Sequence, residues 1–190
     1  MSDTIKKWHE MQEEKILSDQ GGKYFVPHKG GPIVSIEKKK VYDAFIYNLN
    51  CYDAKIIDPY LKVIIAFLES YNRSLIVCDL GCGDFNVGKD LVKYTQRYIA
   101  IDIVADLIAF NKKKFRDEQL EFHCLDIALD KLPKGDVAII RQVLQHLSNT
   151  EVLGVVGKLK EYKYIILTEH LPEGDFEANK EIISGQGTRL

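Results

Sequence analysis

The chain predicts an α/β protein built on a doubly wound, mainly parallel sheet, with a helical segment ahead of it. Three observations carry that expectation. From residue 75 to about residue 170, short apolar runs alternate with helical patterns. Gly81 and Gly83 stand one residue apart just past the first of these runs. Three of the runs end in or beside an aspartate, Asp79, Asp102 and Asp126.

The elements follow in order. Residues 4–18 hold a loose helical period through Ile5, Trp8 and Ile16, which Gly21-Gly22 breaks. Tyr24 to Pro32 is rich in aromatics and chain breakers and reads as a loop. It is either a surface connection or a flap over a pocket, with Tyr24 and His28 toward a substrate. From Ile36 to about Leu49, Val41, Ala44, Phe45 and Leu49 recur at helical spacing, with Lys38-Lys39-Lys40 on the solvated face. Another helix is expected to start at Asp58 as N-cap and Pro59 as first helical residue, burying Ile57, Leu61, Ile64, Ile65 and Leu68.

Leu75-Ile76-Val77-Cys78 has no turn former, the mark of a strand buried on both faces. It stops at Asp79 and the two glycines, and Val87, Leu91 and Val92 then suggest a helix whose other face carries Lys89, Asp90 and Lys93. Further strands are expected at 97–103, 120–126, 135–140 and 162–168, with helices at 105–115 and about 149–160. Strand, glycine turn and helix would let a ligand rest against bare backbone at a helix N-terminus.

Composition narrows the ligand. A net charge of −2 gives no reason to expect nucleic acid. Cys51, Cys78, Cys82 and Cys124 lack paired metal spacing and read as reduced thiols, so no metal site is expected. Residues 1–7 lack the apolar core of a signal peptide, and no run is long enough to span a bilayer. The expectation is a cytoplasmic protein without a membrane partner, monomeric or homodimeric.

The glycine turn fails the dinucleotide fingerprint Gly-x-Gly-x-x-Gly, because position 86 is Asn86 and the next glycine is Gly88. Asp79, two residues before Gly81, would repel a phosphate and attract an ammonium. Asp102 lies nineteen residues beyond Gly83, close to the roughly 20-residue interval at which a second-strand acid takes ribose hydroxyls. Taken singly, each aspartate reads as the N-cap of the helix that follows. In a parallel sheet, however, all three fall on one edge.

Asp79-Leu80-Gly81-Cys82-Gly83 after a buried strand resembles the first motif of the class I S-adenosylmethionine-dependent methyltransferases, acid-x-Gly-x-Gly. Many members carry a further glycine where this chain has Phe85, which implies a wider or differently shaped turn. The resemblance implies a Rossmann-like core over residues 75 to about 170 and S-adenosylmethionine as cofactor. It implies a site at Asp79, Gly81, Cys82 and Gly83, with Asp102 on the ribose. Asp126 would accept from the adenine amine, the Ile127 N–H would face a ring nitrogen, and Ile103 and Ile127 would flank the purine. The segment Arg141-Gln142-Val143-Leu144-Gln145-His146 would line the meeting place of methyl and acceptor.

An Asn/Asp-Pro-Pro-aromatic tetrad, a Pro-Cys nucleophile and a magnesium-binding Asp-Asn pair are all missing. What remains is methylation of oxygen or nitrogen in a small-molecule acceptor. His146 is the candidate general base for a hydroxyl acceptor. Residues 1–72 would form a lid that selects the acceptor, with Trp8, Tyr24, His28, Tyr42 and Tyr47 as pocket candidates, and residues 73–190 would form the core of one compact domain. Members of the fold usually add two strands after the fifth, for which residues 172–190 leave too little chain, so the C-terminal strands are expected to be truncated. The alternatives are a non-catalytic S-adenosylmethionine-binding or regulatory protein and a nucleotide-dependent oxidoreductase.

Overall fold

The computed structural model describes residues 24–26, 34–36, 54–169 and 180–184. The expected helix at 4–18 lies outside them, as do Trp8, His28, Tyr42, Tyr47 and all but the first residue of the helix expected from Ile36. Two short strands, β1 (Tyr24–Val26) and β2 (Val34–Ile36), pair antiparallel. The segment expected as a loop therefore opens with a strand, and Ile36 ends a strand instead of starting a helix. Three-residue strands are too short to show an alternating pattern in the sequence.

Helix α1 spans Ala54–Glu69 and carries Pro59 inside it. This corrects the expected start at Asp58-Pro59. The proline removes one backbone donor from the helix, but the apolar stripe that ends in buried Ile64 and Leu68 fixes the element all the same. Asn72 and Arg73, both at positive φ, close it off.

Five parallel strands follow: β3 (Ile76–Leu80), β4 (Arg97–Asp102), β5 (Leu120–Cys124), β6 (Val137–Arg141) and β7 (Tyr164–Thr168). Their order across the sheet is β5-β4-β3-β6-β7. The chain therefore winds outward in both directions from β3, and the switch point lies beside it, where open α/β sheets bind ligands. Helix α2 (Ala105–Lys114) connects β4 to β5, and α3 (Asn149–Leu159) connects β6 to β7.

Alternation along the strands divides the core into two layers. Val77, Tyr98, Ala100, Val137 and Ile139 pack with Ile64 and Leu68 of α1, Ile108 of α2, and Phe85, Leu91 and Val92. Cys78, Leu80, Ile99, Ile101, Ala138 and Ile140 pack on the other face with Val155 and Leu159 of α3. Burial on both faces is why β3, β4 and β6 read as unbroken apolar runs.

After the glycine turn the expected helix is absent. Two 3₁₀ turns, Gly88–Asp90 and Val92–Tyr94, stand in its place. Asp90 N–H donates to the Val87 carbonyl, Leu91 to Gly88, and Tyr94 to Leu91, each three residues back. This tighter winding buries the adjacent Leu91 and Val92 together.

Helix α3 starts with a capping box. Ser148 Oγ accepts from Glu151 N–H, and the Glu151 carboxylate accepts from Ser148 N–H at 2.9 Å. Residues 180–184 add to this end, with Ser184 Oγ accepting from Ser148 N–H and Glu181 from Asn149 N–H. β7 forms one border of the sheet, and its outer edge has no strand partner among the described residues. Among these residues no helix is long and apolar enough to cross a membrane.

Candidate functional site

The parallel register brings the carboxyl ends of all five strands to one rim. Asp102 lies opposite Cys124 in β5, Asp79 pairs with Ala100 and Ile139, and Arg141 pairs with Thr168. Asp79, Asp102, Asp126, Arg141 and Glu169 therefore belong to a single edge of the sheet.

The glycine turn rises from β3 with Gly81 at φ +91° and Gly83 at +54°. A Cβ at Gly81 would come within 2.4 Å of the Val143 side chain, so only glycine lets this turn approach the segment after β6. The N–H groups of Gly81, Cys82 and Gly83 are all engaged within the fold. Gly81 and Cys82 N–H both donate to the Ile101 carbonyl at 2.8 Å, and Gly83 N–H donates to Asp102 Oδ2 at 3.0 Å. This corrects the expected cradle at a helix N-terminus, because β4 has taken the donors and no helix follows. Cys82 is tied through its N–H, and burial beside Asp79 and Asp102 pushes its thiol pKa well up.

Phe85 takes the left-handed conformation a glycine would take, at φ 62°, with its ring fully buried. The ring meets those of Tyr98, Phe115 and Phe122 edge-on, with centroids 5.6, 5.3 and 4.9 Å away. Left-handed backbone costs a non-glycine residue roughly 1–2 kcal/mol, whereas emptying a buried phenylalanine site costs about 3–5 kcal/mol. Burial wins, so the turn keeps its glycine-like backbone.

Asp79 is 8% exposed and accepts a hydrogen bond from the Tyr98 hydroxyl at 2.9 Å. Desolvation pushes its pKa up to about 7; the Tyr98 hydrogen bond opposes the rise, the Asp102 charge adds to it, and Arg141 also opposes it. Tyr60 of α1 joins this cluster: the Arg141 guanidinium lies 5.6 Å from the centre of its ring. Burial first, and then the Asp79 charge, raises the Tyr60 pKa. Asp102 spans two elements, since Oδ1 accepts from Val104 N–H while Oδ2 holds Gly83. Burial raises its pKa, and the backbone donors of Val104, Gly83 and Ile103 oppose that rise. The turn-capping role of Asp102 and its place on the rim therefore coexist.

Asp126 lies two residues past β5. Its Oδ1 accepts from Ala128 and Leu129 N–H, and its Oδ2 has no hydrogen bond to any described residue. Ile103 is 62% exposed at the rim, but Ile127 is only 7% exposed and belongs to the core below. Gln142 turns the chain at φ 55° and donates its N–H to Thr168 O. His146 is exposed at the end of the 3₁₀ turn Leu144–His146, its Nε2 lying 3.4 Å from Gln145 Nε2. Tyr24 lies in β1, while His28 and Tyr47 lie outside the described residues.

Sequence reasoning missed several participants. Asn111, fully buried on α2, donates to the Gly83 carbonyl at 2.8 Å. Glu169 Oε1 accepts from Val143 and Leu144 N–H at 3.0 and 2.9 Å and so fixes the segment after β6. The acid-after-strand rule that singled out Asp102 would have found Glu169, whereas nothing local marks Asn111. Among the described residues no cluster of His, Cys, Asp and Glu could hold a metal ion. A shallow concavity of about 450 Å³, lined by Lys112, Phe115, Arg116, Leu120, Glu121 and His123 among others, sits where α2 leads into β5. That is the opposite edge of the sheet, so it takes no part in this site.

A methyltransferase domain family matches residues 78–162. Malonyl-[acyl-carrier protein] O-methyltransferase of Acetivibrio thermocellus is 31% identical over 130 residues, covering 65% of this chain and 45% of that protein. The chain thus spans under half the length of the curated relative it matches. Among solved structures, N-methyltransferase NodS from Bradyrhizobium japonicum aligns at 15% identity and a TM-score of 0.46, over 56% of this chain and 62% of that one. Magnesium protoporphyrin IX methyltransferase from Synechocystis, with bound S-adenosylmethionine, aligns at 22% identity and a TM-score of 0.47, over 55% and 53%. Residues 78–162, a little under half of the chain, are thus similar to a methyltransferase domain.

Proposed function

We propose that this chain transfers the methyl group of S-adenosylmethionine to an oxygen or nitrogen of a small-molecule acceptor. One observation carries the reading: the N–H groups of Gly81, Cys82 and Gly83 are all engaged inside the fold, while carboxylates crowd the same rim. Such a rim favours a cation bearing hydroxyls over a pyrophosphate, which needs free donors. The failed glycine spacing at Asn86 agrees with it.

On this reading Asp79 and the Gly81 turn receive the amino-acid end of the cofactor, with the Asp79 charge attracting the ammonium. Asp102 accepts from the ribose hydroxyls through lone pairs that Gly83 and Val104 leave available. Asp126 Oδ2 accepts from the adenine amine beside the Ile127 N–H, and exposed Ile103 covers one purine face. Arg141 and Gln142 wall the cofactor on the β6 side. Bound there, S-adenosylmethionine supplies an electrophilic methyl on a sulfonium leaving group. The protein's task is to align the acceptor with that methyl and exclude water. His146, exposed on the segment after β6, takes the proton of a hydroxyl acceptor. The curated relative is named an O-methyltransferase, which supports oxygen as the acceptor atom. Residues 1–72, with Tyr24, His28 and Tyr47, choose the acceptor.

The test is an acceptor screen that follows S-adenosylhomocysteine release. In the presence of a competent acceptor, His146→Ala should lower kcat by roughly 10²-fold or more and leave cofactor affinity within about twofold. Asp102→Ala should weaken cofactor binding by calorimetry roughly 10–100-fold, the effect of losing one or two charge-assisted hydrogen bonds. Cofactor binding without turnover on any acceptor would leave a binding protein in place of an enzyme.

A further inference from the structure

Residues 126–130 form a turn that is closed on itself. Asp130 N–H donates to the Asp126 carbonyl at 2.8 Å, and Asp126 N–H donates to Asp130 Oδ2 at 2.8 Å. Asp126 Oδ1 gathers the Ala128 and Leu129 N–H groups. These bonds shape the turn, but none of them ties it to the rest of the molecule.

The tie comes from α3, on the far side of the sheet's switch point. Lys158 Nζ donates to three carbonyls of this turn, Ile127 at 3.0 Å, Ala128 at 2.7 Å and Asp130 at 2.7 Å. All three ammonium protons are thereby committed to a single five-residue turn. Gly154, one helical turn earlier, is the second part of the seat: a Cβ there would lie 3.3 Å from the Ala128 carbonyl, so the turn rests closely on the helix. The buried Ile127 and Ala128 side chains complete the contact. An exposed lysine keeps its rotamer freedom, and three short charge-assisted bonds are needed to offset its loss.

We propose that Lys158 is a positioning residue for base recognition, holding the 126–130 turn so that Asp126 Oδ2 and the Ile127 N–H stand at a fixed depth on the rim and tell an amino-purine from its keto counterpart. The inference rests on the Asp126 reading given under Proposed function. An ammonium that served only as a staple would affect stability. One that sets the register of a recognition edge also governs discrimination, because a carboxylate that accepts from an amine repels a carbonyl at the same place.

The experiment uses the full chain and calorimetric Kd values for S-adenosylhomocysteine and its deaminated analogue S-inosylhomocysteine, at a temperature where circular dichroism shows each variant folded. The unmodified protein should favour the adenosyl compound by roughly 10²-fold. Lys158→Met should bring that preference below roughly tenfold, while a 3′-deoxy analogue that reports on Asp102 keeps its unmodified ratio. Asp126→Asn separates the two claims. If Asp126→Asn leaves the preference intact, the Asp126 reading fails and this inference with it. If Asp126→Asn abolishes the preference while Lys158→Met retains it, only the role of Lys158 is overturned. Should Lys158→Met fail to fold, Lys158→Arg decides: its planar fork cannot reach three convergent carbonyls as an ammonium does, so an unchanged preference there overturns the proposal.

Discussion

Asp79 belongs to a strand buried on both faces, and its carboxyl group ends up between the Tyr98 hydroxyl and the Arg141 side of the rim. Burial holds its pKa at about 7 against an ordinary value of 3.8, so the folded chain binds this proton more tightly than the unfolded chain. The resulting stability is complete below about pH 4 and is lost as pH rises toward 7. Unfolding by urea should show it as a slope of up to about 1.4 kcal/mol per pH unit across that window, and Asp79→Asn should flatten the slope. An arriving ammonium stabilises the charged form, so cofactor affinity should rise about tenfold from pH 6 to pH 8, again flattened by Asp79→Asn in calorimetric titrations. The aspartates of the rim were legible in the sequence because acids at the ends of apolar runs are local signals. The partners that give them their properties were not, since Tyr98 and Asn111 come from residues nineteen and twenty-eight positions from Asp79 and Gly83.

Element boundaries were readable where chemistry and pattern agreed and misread where they did not. The helix expected from about residue 149 begins there, and the structure shows Ser148 and Glu151 capping it. Ser148→Ala removes one acceptor for the first turn and should cost about 1 kcal/mol, a fall in Tm of roughly 2–4 °C by thermal unfolding. Asp58-Pro59 mimics a start signal equally well, yet α1 runs through it, because the stripe leading to Ile64 and Leu68 outweighs one missing donor. The helix expected after the glycine turn failed for a different reason. Gly88 and Leu91 recur every third residue, and their burial beside Val92 suits 3₁₀ winding, which a helical reading of the same apolar residues cannot distinguish.

Across the whole molecule the topology was the most legible feature, since strands alternating with helices leave few ways to wind a parallel sheet. The order β5-β4-β3-β6-β7 puts β3 in the middle, flanked by two strands that are themselves paired on both sides. Amides of β3 and β4 should therefore exchange with deuterium only through global opening, and those along the outer edges of β5 and β7 should exchange orders of magnitude faster by mass spectrometry. Contacts such as Lys158 on the 126–130 turn stayed hidden, because a lysine on a helix looks the same in sequence whether it faces water or three carbonyls. Phe85 carries a different lesson about how this protein can change. One residue serves at once as a bend of the glycine turn and as a keystone among three aromatic rings. Evolution or an engineer trimming this side chain to reshape the turn would hollow the interior, so the shape of the turn and the durability of the fold are inherited here as a single trait.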